Sequence, residues 1–395
     1  MKVTVRKGDN FSYYSKLFQL PVILLEDSNP EVDPSNLLPG MEVLIPCFTE
    51  EIYTLQEGDS IWQLAQERNV SVDVLLLVNQ GINPNSLEPG EKIIIPKKIE
   101  APVFNRKREY DYACLLKDLD QLKELFPFIA IAPIGKSVLE KDIFEIKLGR
   151  GRKKIHFNAS FHANEWITSA LLMEFLNAFL LSLANETPIR GQSAAKMYEQ
   201  AELSIVPMVN PDGVDLVLNG PPSSMKEELV KINRGSTDFT GWKANIRGVD
   251  LNNQFPAKWE VEKKRKEEKA PAPRDYPGDA PLSEPETMAM ANLTKKENFD
   301  RVIAFHTQGE EFYWGYEGTE PPSAEKIAEE MARKSGYLSV RYIDSFAGYK
   351  DWFIQDFLRP GFTIEFGKGV NPLPLSQFDE IYDKGLWIFL AAIYM

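Results

Sequence analysis

The sequence predicts an α/β protein: one large domain of alternating strands and helices, preceded by two small βααβ modules. Three observations predict it. The first hundred residues repeat with a fixed period, the remainder alternates strand-like and helix-like apolar runs, and two of the three histidines fall at strand ends.

The repeat comes first in the chain. Gly8 and Asp9 recur as Gly58 and Asp59, Asn29 as Asn79, Pro39-Gly40 as Pro89-Gly90, and Pro46 as Pro96. The offset is the same at every pair, which marks a tandem module. Each copy begins with a short β segment ending at a Gly-Asp turn. A helix follows, with apolar residues at helical spacing in the second copy (Ile61, Leu64, Ala65), then a second helix ("SVDVLLLVN"), a Pro-Gly turn and a closing strand ("EKIIIP"). The module boundaries are expected at 1–48 and 49–98, with a basic linker at 99–109 and a single domain over 110–395. On the "GD-x-(I/F)", "N" and "PG-x-x-(I/L)-x-IP" positions, both copies resemble the LysM module. That resemblance implies binding of N-acetylglucosamine-containing glycan such as peptidoglycan.

The large domain is read element by element. "YDYACLLKDLDQLKELFP" predicts a helix, "IFEIKLG" and "KKIHFNA" strands, and "SALLMEFLNAFLLSL" a buried helix. "AELSIVPMVNPDG" predicts a strand ending in an Asn-Pro-Asp-Gly turn. "SEPETMAMANLTKKEN" predicts a helix opened by a Ser283/Glu286 capping box. "RVIAFH", "YLSVRY" and "GFTIEF" complete the strands, and the charged, proline-rich residues 258–281 predict an exposed loop. Such alternation argues for a mostly parallel or mixed sheet covered by helices, with the site at the carboxyl ends of strands.

Composition narrows the function. A net charge of -13 argues against a nucleic-acid partner, which would need clustered Lys and Arg. No apolar run reads as long enough to cross a bilayer, so no membrane partner is expected. The two cysteines, Cys47 and Cys114, imply no disulfide framework. The N-terminus lacks an apolar signal core, so the expected location is the cytoplasm, with the forespore or the wall of a bacterium as the alternatives.

His162 and Glu165 stand at i and i+3 where "KKIHFNA" gives way to a helix, His306 ends "RVIAFH", and Glu365 sits inside the apolar "FTIEFG". An H-x-x-E spacing is weak by itself. With His306 as a third ligand it becomes the N/O donor set of a catalytic zinc site, which keeps one position for water. A glutamate in an apolar strand is costly to bury without a partner, and Glu365 is placed to move the protons. His156, mid-strand between Ile155 and Phe157, reads as structural.

"SFHANEW", "VPMVNPDG", "GVDLNNQFP", "SEPET", "AFHTQG" and "FTIEFG", in that order, resemble the zinc carboxypeptidase family over about residues 110–395. The resemblance implies a carboxypeptidase A-like mixed eight-stranded sheet flanked by helices, with one Zn2+ held by His162, Glu165 and His306. It implies Glu365 as general base and then general acid. It also implies a tyrosine closing over the substrate, Tyr342 with Tyr349 as alternative, and a basic residue for the oxyanion, Lys243 with Arg234 and Arg247 as competitors. Where family exopeptidases carry Asn-Arg, this chain has Asn252-Asn253. Asparagine cannot supply the bidentate cation that clamps a terminal carboxylate. Asn252, Asn253 and Arg247 are the expected substrate contacts.

Together the two resemblances imply a zinc-dependent hydrolase of peptidoglycan stem peptides. It would cut between γ-D-glutamate and diaminopimelate and be tethered to glycan by its LysM modules. Two other readings stand beside it: a metallocarboxypeptidase of ordinary peptide C-termini, and an inactive peptidoglycan-binding protein.

Overall fold

The structure, a computed structural model, describes residues 1–104 and 107–395. Residues 105 and 106, part of the expected linker, lie outside the described residues. The chain divides into two compact units: Met1–Phe104 with Leu119–Ala130 and Asn177–Ala195, and Asn105–Asp118 with Ile131–Leu176 and Lys196–Met395.

The first unit contains both repeats as βααβ modules. Strands β1 (Lys2–Thr4) and β2 (Glu42–Leu44) pair antiparallel around helices Phe11–Phe18 and Val22–Asp27. Strands β3 (Phe48–Thr54) and β4 (Lys92–Lys98) pair around Ile61–Glu67 and Val72–Val78. The repeated residues have repeated duties. Gly8 and Gly58 take φ of 93° and 89°, which only glycine adopts without strain. The Asn29 amide donates to Leu25 O and Leu44 O and accepts from Leu44 N; Asn79 does the same with Leu75 and Ile94. Each asparagine thus fastens the second helix of its module to the closing strand. The modules also bond to each other: Arg6 grips Asp73 through two nitrogens at 2.7 and 2.8 Å, and the Tyr13 hydroxyl donates to the same carboxylate.

The second unit is built on an eight-stranded sheet. Its strands are β5 (Ala130–Lys136), β6 (Asp142–Leu148), β7 (Lys153–Ala159), β8 (Ala201–Val206), β9 (Arg301–Thr307), β10 (Glu311–Tyr313), β11 (Leu338–Val340) and β12 (Gly361–Phe366). Their order is β11-β10-β12-β9-β7-β8-β6-β5. The central four, β12, β9, β7 and β8, run parallel, so their carboxyl ends share one edge. Every residue of β9 is buried, as expected for a parallel strand covered on both faces.

Four local expectations change. Asn-Pro-Asp-Gly is a helix start: Asn210 caps Pro211–Asn219 by accepting from Gly213 N, and Pro211 occupies the first turn, where its missing N–H costs nothing. The Ser283/Glu286 capping box does not form, because Glu284 is the cap residue and Glu286 turns inward to accept from Val138 N and Asn245 Nδ2. Residues 258–281 are more than a solvated loop: Trp259–Arg265 is helical, and Ala272 and Tyr276 pack with Val249 in a small core. Finally, Ala163–Asn185 is apolar and long enough to span a bilayer, contrary to expectation, but 89% of its most apolar window is buried inside the protein.

Candidate active site

The site lies at the carboxyl edge of the parallel strands. After β7 the chain passes through Ser160 at φ 52° and Phe161 to His162, which is extended; Ala163–Glu165 then form a 3₁₀ turn. Side chains at i and i+3 eclipse on such a turn, so His162 and Glu165 face one point. His162 Nδ1 lies 2.9 Å from Glu165 Oε1. His306, near the end of β9, brings its Nδ1 to 3.0 Å from Glu165 Oε2 and 3.2 Å from His162 Nδ1. Glu365 of β12 sits opposite His306 in the parallel register, which sets it beside the same point.

Long-range bonds hold this cluster. The Asn210 amide donates to Phe161 O and Ala244 O, and Ala163 N donates to Lys243 O, tying the His162 turn to the segment that carries Lys243. Lys243 Nζ reaches within 3.4 Å of Glu165 Oε1. Asp250 Oδ1 lies 3.2 Å from His162 Nε2. The Asn371 amide donates to Glu165 Oε1 at 3.3 Å and to Thr307 O at 3.0 Å.

The electrostatics follow from burial among charges. Burial alone would lower the His162 pKa, but the Glu165 and Asp250 carboxylates overcome it and hold the ring at about 9. Burial would raise Glu165, and His162 with Lys243 instead pulls it well below the usual carboxylate range. Glu365 goes the other way, pushed up to about 8 by burial and by the Glu165 carboxylate against the pull of Lys243. Two neighbouring carboxylates are thus driven apart, one fixed as an anion and one able to carry a proton.

His162, Glu165 and His306 are a group whose ligand atoms lie within 4.8 Å of one another, all buried. Two imidazole nitrogens and one carboxylate suit zinc, and Asp250, bonded to His162 Nε2, would leave Nδ1 of that ring for the metal. The cleft in front is about 430 Å3 and is lined by Asn164, Lys243, Arg274, Tyr313, Glu365 and Asn371 among others.

The structure gathers some expected residues and not others. His162, Glu165, His306, Glu365 and Lys243 come together. Tyr342 is exposed, its hydroxyl donating to Glu320 Oε1 at 2.8 Å, while its neighbour Ile343 lines the cleft. Tyr349 is a core residue whose hydroxyl meets that of Thr294. Arg247 does not reach the cleft; it faces Glu284 and lines a separate depression with Ile134 and Met288. Arg234 pairs with Glu268 on the surface. Asn252 spends its side-chain oxygen on Tyr349 N, and Asn253 is buried and not among the cleft-lining residues. His156 is structural: it bonds Ser204 Oγ at 3.0 Å and stacks on Phe299. Asp250, Asn210, Arg274 and Asn371 were not singled out from the sequence. Asp250 and Asn210 lie inside quoted motifs, but nothing local gives their direction.

Residues 115–381 match the family model described as zinc carboxypeptidase, and residues 3–46 and 53–96 each match that of the LysM domain. The chain belongs to the zinc carboxypeptidase family. It is an enzyme of that family, a zinc metallopeptidase carrying two LysM modules. It is 50% identical, over the whole length of both chains, to gamma-D-glutamyl-L-diamino acid endopeptidase 1 of Lysinibacillus sphaericus. Mast cell carboxypeptidase A of Homo sapiens is 28% identical over 57% of this chain and 51% of its own. Bovine thrombin-activatable fibrinolysis inhibitor, in complex with tick carboxypeptidase inhibitor, shares the fold: TM-score 0.55, 17% identity, 73% of this chain and 97% of that one.

Proposed function

We propose that this zinc peptidase hydrolyses the amide between γ-D-glutamate and the diamino acid of peptidoglycan stem peptides, with its LysM modules holding it to the glycan strand. The observation that carries the reading is the full-length likeness to the Lysinibacillus endopeptidase, LysM modules included, on a chain whose zinc-type donor set converges. The absence of a guanidinium at Asn253 argues against an ordinary carboxypeptidase.

His162, Glu165 and His306 would hold the zinc, which when bound supplies a Lewis acid and a water of lowered pKa. Glu365 takes the proton from the attacking water and returns it to the leaving amine, a duty suited to a carboxyl with a raised pKa. The Lys243 ammonium, half-buried and held in its charged form by the surrounding carboxylates, stabilises the negative oxygen that develops on the scissile carbonyl. Tyr342 would reach a bound peptide by leaving Glu320. Two glycan-binding modules raise the effective concentration of stem peptides at the site.

The test is a mass-spectrometric digest of L-Ala-γ-D-Glu-meso-diaminopimelate-D-Ala. The wild-type enzyme should yield L-Ala-γ-D-Glu and diaminopimelate-D-Ala. Glu365→Gln should be slower by about 10²- to 10⁴-fold while retaining zinc. Release of D-Ala alone would replace this reading with a carboxypeptidase.

A further inference from the structure

The segment that leads out of the charged stretch returns to the site through its backbone. Lys243 N and Ala244 N both donate to Pro273 O, at 2.8 and 3.0 Å, and Ala272 N donates to Gly248 O at 3.0 Å. On the far side of residue 274, Asp275 N donates to Asp250 Oδ2 at 3.2 Å, and Asp250 N donates to Tyr276 O at 2.7 Å. Arg274 is therefore fixed on both flanks, on one side to the strand of chain carrying Lys243 and on the other to the carboxylate that holds His162.

Its side chain lines the cleft. Nε donates to Asp275 Oδ2 at 2.9 Å, and the two terminal nitrogens of the fork have no partner among the described residues. The side chain is 57% exposed. The other cation lining the cleft, Lys243, is 18% exposed and already faces Glu165. Arg274 is thus the more exposed of the two cations lining the cleft, with both terminal nitrogens of its fork left to give. A guanidinium fork with two unused nitrogens matches a carboxylate in bidentate fashion.

We infer that Arg274 is a specificity-determining residue that binds the free α-carboxylate of a γ-linked glutamyl residue. The inference rests on the endopeptidase reading above and adds which group of the substrate is read. A γ-glutamyl amide differs from an ordinary peptide in one respect: the residue that donates the scissile carbonyl keeps its α-carboxylate, a few bonds away. Arg274 is tethered through Pro273 to Lys243, which serves the oxygen of that carbonyl, so the guanidinium borders the acyl side of the bond. Asn253 supplies no cation to the cleft, and Arg274 supplies one from a different place in the chain.

The experiment compares two substrates, L-Ala-γ-D-Glu-meso-diaminopimelate-D-Ala and the same peptide with the glutamyl α-carboxylate converted to the carboxamide. Wild-type zinc enzyme, Arg274→Gln and Arg274→Lys are each assayed for kcat/KM, with zinc content and thermal melting measured alongside. The wild type should favour the carboxylate by about tenfold or more, since a site built to bond a group rejects the analogue lacking it. Arg274→Gln should collapse that ratio towards one, and Arg274→Lys should restore part of it. A wild type indifferent to the change, or an Arg274→Gln that keeps the wild-type ratio, overturns the assignment and leaves the endopeptidase reading standing. A wild type that cleaves neither peptide overturns both.

Discussion

Asp250 grips His162 from behind: its Oδ1 lies 3.2 Å from Nε2 of the imidazole, while Nδ1 of the same ring faces Glu165 at 2.9 Å. The ring is held between two carboxylates, which set its tilt. Asp250 is buried and is itself stabilised as an anion by His162 and Lys243.

Removing that charge should loosen the metal. Asp250→Asn keeps the shape but offers His162 a weaker partner, and zinc affinity is expected to fall about 10- to 100-fold. Competition with a chelator, read by bound-zinc content, measures it. Unchanged affinity would mean that the ring is oriented by Glu165 and by packing against His306.

Lys243 makes a different prediction. Its ammonium is 3.4 Å from Glu165 Oε1 and lines the cleft. Lys243→Met should lower kcat by about 10²- to 10³-fold, the usual cost of deleting one oxyanion donor. KM should change far less, and zinc should remain bound. A variant in which only KM rises would assign Lys243 to ground-state binding instead.

A third prediction concerns stability and lies away from the cleft. Glu286 is fully buried, and burial raises its pKa from 4.5 to about 7. The folded protein therefore holds this proton more tightly than the unfolded chain does. Its contribution is intact below pH 4.5 and is lost as pH climbs towards 7, by up to about 3 kcal/mol. Glu286→Gln cannot ionise, so the variant should lose less stability than the wild type between pH 5 and pH 8. Urea unfolding of both proteins at the two pH values measures the difference, and parallel pH profiles would refute the assignment.

Much of the site was legible in the sequence because its signals are local. The i,i+3 spacing of His162 and Glu165 needs only a helical turn to bring both to one point. His306 and Glu365 were visible as polar residues at or near the carboxyl ends of apolar strands, and the parallel register of β9 and β12 places them side by side. Arg247, expected as a substrate contact, lies outside the cleft lining for the opposite reason. Nothing in "NIRGVD" tells which way an arginine on a turn points, and here Glu284, distant in sequence, draws it to another face.

By itself the sequence determined the tandem modules, the alternating α/β architecture and the residues of the candidate metal site, since period, composition and short motifs encode these over short spans. The tertiary structure alone decided that Asp250 backs His162, that Asn371 touches Glu165, and that Arg274 enters the cleft from a segment read as solvated. Those placements come from backbone and side-chain bonds that join loops far apart in sequence, such as Pro273 O with Lys243 N and Asp275 N with Asp250 Oδ2. Loops of this kind carry no hydrophobic period. Their course is set by where buried polar groups find partners, which is a property of the folded whole.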